Sequence, residues 1–127
     1  MPDIENDTCS APLHPRAVEG FRLFNAGKYF EAHEALEVVW LCARGDEKTF
    51  LHGLIQIAAA FHHHARGNSA GFRSLLEKGW KKLETSGARR EGIDVAGLRK
   101  QLQHWWDFQR GISEPPPIPQ IKTARKT

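Results

Sequence analysis

Residues 24–40 read Phe24-Asn25-Ala26-Gly27-Lys28-Tyr29-Phe30-Glu31-Ala32-His33-Glu34-Ala35-Leu36-Glu37-Val38-Val39-Trp40. Asn25-Ala26-Gly27 is a helix terminator, because glycine adopts the left-handed conformation that closes a last turn at little cost. The residues after it have a helical period: Phe30, His33, Glu37 and Trp40 stand at i, i+3, i+7 and i+10, on one stripe of a helix. The stretch therefore holds the end of one helix, a tight turn and most of the next. Sliding the chain by 40 residues aligns Phe21 with Phe61, Gly27 with Gly67, Leu36 with Leu76, Glu37 with Glu77 and Trp40 with Trp80. Two related helix–turn–helix units follow from this, and short connections make their helices antiparallel neighbours.

Working outward, His14-Pro15 opens the first helix, with proline suited to its first turn. The second helix runs from about Lys28 to Cys42. The third is capped by Asp46 and reaches His64 or Arg66, and the fourth starts at Asn68 or Ser69 and ends near Leu83 or Glu84. Ser86 to Gly92 reads as a polar loop, after which Asp94 caps a fifth helix to about Gln109. The third helix is apolar in nearly every direction through Leu51, Leu54, Ile55, Ile57, Ala58, Ala59, Ala60 and Phe61, which puts it at the centre. Ala58-Ala59-Ala60 would let a neighbouring helix approach closely. The expected fold is all-α, a single compact bundle of about five helices with two helical-hairpin pseudo-repeats over residues 13–112. Residues 1–12 are expected to be a disordered acidic N-terminus. Residues 113–127, with Pro115, Pro116, Pro117 and Pro119, are expected to be a mobile basic tail dispensable for folding.

The 127 residues suffice for one domain, and 40% hydrophobic with 26% charged residues excludes a disordered chain. Two cysteines, Cys9 and Cys42, make no disulfide scaffold and point to a reducing compartment. The start carries no apolar signal segment, and the longest uncharged stretch, Thr49 to Ala65, contains four histidines, so no membrane span is expected. The composition thus reads as a soluble cytoplasmic domain. The formal charge of +3 comes from 18 basic and 15 acidic residues, and the body between the one-signed ends carries the same +3. A body this near neutrality gives little reason to expect nucleic acid as a partner.

Chemistry concentrates on two stripes. His33 and Glu37 stand between Phe30 and Trp40 on the second helix. On the third, His52, Gln56, Ala59 and His63 fall at i, i+4, i+7 and i+11, a polar break in an apolar cylinder. If the stripes face each other, His33, Glu37 and His63 form a candidate site for a divalent metal (Zn, Mn or Fe), with His52 and Gln56 as neighbours. The competing reading is a buried His33–Glu37 hydrogen-bonded pair, with Gln56 satisfying a nearby group. Glu34, offset from His33, is a lesser candidate for a general base. His62-His63-His64 point in three directions, so at most one joins the site. His104, Trp105 and Trp106 read as packing, and Cys42 lacks the histidine partner of a nucleophile.

The segment 24–40 resembles the prokaryotic family called domain of unknown function 309, whose hallmark His-x-x-x-Glu-x-x-Trp/Tyr stands here as His33, Glu37 and Trp40. The resemblance continues through Gly53-Leu54-Ile55-Gln56 and the His63…Gly67-Asn68 turn, over roughly residues 15–85. It implies an all-helical fold, metal binding at the motif and metal-dependent hydrolase chemistry with no substrate attached. The same segment resembles a tetratricopeptide hairpin in Gly27, Tyr29 and Ala32. That resemblance supports a non-catalytic helical scaffold for a protein or peptide, with His33–Glu37 as a structural pair and Gly27 and Trp40 as framework.

Overall fold

The first helix begins as the chemistry of His14 and Pro15 directs. In the computed structural model, which describes residues 14–87, 89–90, 92–112 and 114–122, His14 Nδ1 accepts a hydrogen bond from the Arg16 amide at 3.0 Å. Helix α1 (Pro15–Asn25) ends at Gly27, whose φ of +82° suits a residue without Cβ. There the Gly27 amide donates to Phe24 O and the Lys28 amide to Leu23 O, both at 2.9 Å. Helix α2 (Tyr29–Cys42) follows, then α3 (Gly45–Ala65) and α4 (Ser69–Glu84). Between α3 and α4, Gly67 sits at φ +78°, donating to His64 O, while the Asn68 amide donates to His63 O. The same two hydrogen bonds thus recur 40 residues later. Asn68 Oδ1 caps α4 through the Gly71 amide at 3.0 Å, and Asp94 Oδ1 caps α5 (Val95–Gln109) through the Gly97 amide at 2.9 Å.

Helix α3 lies in the middle, packed by α2 on one side and α4 on the other; α1 covers α2, and α5 covers α4. Phe61 is the hub of the core, with the rings of Phe24, Phe72 and Trp105 at 6.2, 5.2 and 5.1 Å in edge-to-face arrangement. Leu36 and Leu76, equivalent in the repeat, are both fully buried, and such a side chain stabilises by about 1.5–3 kcal/mol. The fold is the all-helical bundle of five helices read from the pattern, and no described helix is long and apolar enough to cross a membrane.

Several local readings need correction. Asp46 does not cap α3: the helix starts at Gly45 after Arg44, without a side-chain cap, and Asp46 and Glu47 lie in its first turn. There their carboxylates complement the helix dipole. A close approach of α3 and α4 occurs at Gly53 and Gly79, which the pattern did not single out; a Cβ on Gly79 would come within 2.8 Å of Gly53 O. The polar loop contains a short strand, β1 (Arg89–Arg90), that pairs antiparallel with β2 (Ile93–Asp94) just after it, and Ile93 is buried.

The largest difference is the proline-rich segment, read as mobile over 113–127. Its described part, up to Lys122, lies along the bundle. Pro117 O accepts from Trp105 Nε1 at 3.0 Å, and Gln120 exchanges two hydrogen bonds with the Gln101 side chain. The Ile121 main chain exchanges two more with the Asn25 carboxamide, at 2.7 and 2.9 Å. Lys122 O accepts from the Asp94 amide, and the Ile121 side chain is buried. The prolines exclude helix, yet an extended chain has its amides and carbonyls free for side chains such as Asn25 and Gln101. The expected disorder of residues 1–12 falls outside the described residues.

Candidate functional site

Antiparallel packing of α2 on α3 sets the register of the two stripes. Near one end Trp40 meets the His52 ring at 5.5 Å; near the other Phe30 meets His62 at the same separation. Between these contacts lies a cavity of about 260 Å³ lined by His33, Glu37, Trp40, His52, Gln56 and Ala59, with Ile55 and Leu75 completing its apolar wall. Four of the sequence candidates, His33, Glu37, His52 and Gln56, are therefore brought together.

His63 is not among them. It shares the stripe direction of Gln56 but stands seven residues further on, about 10 Å along the axis. Its Nδ1 instead pairs with Asn68 Nδ2 at 3.1 Å, in the α3–α4 turn. Glu34 is exposed and does not line the cavity. His104 is exposed on α5.

Two polar atoms of the residues lining the cavity have no partner within the protein. His33 Nδ1 and Gln56 Oε1 are both buried and make no hydrogen bond. Glu37 is exposed as a residue although it contributes to the wall. The buried, mutually bonded His33–Glu37 pair, with Gln56 serving a neighbour, is thus not what these side chains form. His33 is instead held by Phe30, which stacks on it at 6.0 Å and 20° between planes. An unpaired buried polar atom costs about 1–3 kcal/mol, so two at one wall are a considerable cost. His52 is held below the usual imidazole range, first by burial and then by the charge of Lys82 on α4. It is therefore neutral near pH 7, a hydrogen-bond partner rather than a cation.

The donor elements suit a divalent metal, since imidazole nitrogens and a carboxylate are the ligands of such ions. As placed, however, no group of three His, Cys, Asp or Glu among the described residues could hold one. Trp40, first read as framework, is also a wall of the cavity, and Lys48 Nζ lies 4.7 Å from the centre of its ring. Leu75 and Lys82 carried no sequence signal as site residues, because they come from α4 and act across the α3 helix's other flank.

The sequence model of the family described as "Domain of unknown function (DUF309)" matches residues 17–75, which include α2, α3 and every cavity residue. An uncharacterized protein of Bacillus subtilis (strain 168), YpuF, is 32% identical over 109 residues, covering 80% of this chain and 61% of its own length. An uncharacterized protein of Aquifex aeolicus (strain VF5) is 28% identical over 81 residues, covering 63% of this chain and 24% of its own length. The chain thus spans less than two thirds of either relative. The segment that builds the α2–α3 cavity belongs to the DUF309 family.

Proposed function

We propose that the α2–α3 cavity binds a small polar molecule carrying a neighbouring hydrogen-bond donor and acceptor, such as a primary carboxamide. The observation that supports this is the pair of buried, unpartnered atoms at its wall, His33 Nδ1 and Gln56 Oε1. A carboxamide N–H donates to Gln56 Oε1 while its carbonyl accepts from His33 in the tautomer that carries hydrogen on Nδ1, and His52 and Glu37 complete a polar rim. The volume suits a ligand of a few heavy atoms, somewhat below the range of drug-sized sites. Nicotinamide, acetamide and urea titrated into the labelled protein should shift the His33 ring and Gln56 side-chain NMR signals together, leaving exposed His104 unmoved. Absence of any such shift across the three probes would contradict the proposal.

A second reading follows from the donor set: a divalent metal on His33, Glu37 and His52 supporting hydrolysis of an unknown substrate. It requires those side chains to rotate toward one point. Untagged protein should then gain melting temperature with Zn²⁺ or Mn²⁺, because a ligand bound only to the native state stabilises it, and His33→Ala should abolish the gain. A parent protein indifferent to both ions would remove this reading while leaving the first intact.

A further inference from the structure

The second helical hairpin has a cavity of its own. It measures about 530 Å³ and is lined by His64 at the end of α3, Ser69, Phe72 and Arg73 on α4, and Phe108 and Gln109 at the end of α5. That volume lies within the usual range of small-molecule sites. We propose that this cavity is a second ligand site, separate from the α2–α3 cavity, and that it takes a small aromatic carboxylate.

The polar side of the cavity is made of donors. Arg73 contributes a guanidinium, Ser69 a hydroxyl, and Gln109 a carboxamide whose Nε2 is buried without a hydrogen-bond partner. No Asp or Glu lines it, and Glu77, one turn beyond Arg73, is already paired with Lys81 at 3.3 Å. A positive group and an unsatisfied N–H with no local acid call for an anion. The planar fork of arginine matches the two oxygens of a carboxylate.

The opposite side is aromatic. Phe72 is fixed by edge contacts to Phe61 at 5.2 Å and by His64 at 5.0 Å, and Phe108 stands edge-on to Trp105 at 5.5 Å. These rings are held by the core rather than free to collapse into the space. They offer an apolar surface suited to a ligand ring, with the carboxylate turned to Arg73 and Gln109.

Phenylacetate and its charge-reversed counterpart benzylamine, titrated into the full chain, test this by the NMR signal of the Gln109 side-chain amide. The expected result is a saturable shift with phenylacetate and none with benzylamine. Arg73→Gln should weaken phenylacetate binding about tenfold or more, the usual worth of a charged hydrogen bond. Arg73 is exposed, so this variant should fold as the parent does. Equal response to the two probes, or unchanged affinity in Arg73→Gln, would overturn the proposal. So would shifts confined to His33 and Gln56, which would place the acid in the other cavity.

Discussion

The two helical hairpins share a framework and differ in what they do with it. Phe21 and Phe61 are both buried, as are Leu36 and Leu76, and the turns at Gly27 and Gly67 close with equivalent hydrogen bonds. The polar positions diverge. His33 is replaced by Arg73; Glu37 and Glu77 each line a cavity, but Glu77 is also paired with Lys81. Asn25 receives the C-terminal segment, and its counterpart Ala65 has only a methyl group, which can neither donate nor accept. Packing has been kept in the repeat while the chemistry around it has moved, so the two sets of positions answer to different demands.

The strongest way to break this comparison is at the shared core. Leu36→Ala and Leu76→Ala should each cost about 2–5 kcal/mol in denaturant unfolding, since both delete a fully buried side chain. A large cost at one and none at the other would mean the hairpins are not energetic equivalents. Next comes the segment that the first hairpin, unlike the second, helps to anchor. Truncation after residue 114 removes buried Ile121 and its hydrogen bonds to Asn25, and should cost about 2–4 kcal/mol. An unchanged melting temperature would show that the segment's contacts are energetically idle.

The turns offer a smaller, symmetric test. Gly27→Ala and Gly67→Ala both force a Cβ into a left-handed conformation, and each should cost about 1–2 kcal/mol. The smallest effect concerns His52, whose depressed pKa derives from burial and from Lys82. Its native value lies below that of the unfolded chain. The stability it contributes is therefore complete above about pH 6.5 and declines as the pH falls below that point, where the unfolded chain takes up the proton first. Lys82→Met should raise the His52 midpoint in an NMR titration, and a lowered midpoint would contradict the assigned cause.

Much of the fold was legible because its signals are local. Pro15, Gly27, Gly67, Asn68 and Asp94 each act within a few residues, and each did so at the expected place. The candidate site was legible only in direction. Helical spacing put His52, Gln56 and His63 on one stripe, but it could not say at which level along the axis α2 crosses, and that level excludes His63. Gly53 and Gly79 were missed as a close approach because it depends on two helices at once. The C-terminal segment was misread because composition describes what a proline-rich chain cannot form. It says nothing of partners such as Asn25, 96 positions away from Ile121.

The central claim is that His33 serves a ligand and not the framework, and His33→Arg tests it by giving the first hairpin the residue of the second. The decisive measurement is the nicotinamide titration of this variant, followed at the Gln56 side-chain signal. The account predicts a folded protein whose Gln56 signal no longer responds to the probe that moves it in the parent. A variant that binds nicotinamide as the parent does, or one that cannot fold with arginine at this half-buried position, would contradict it.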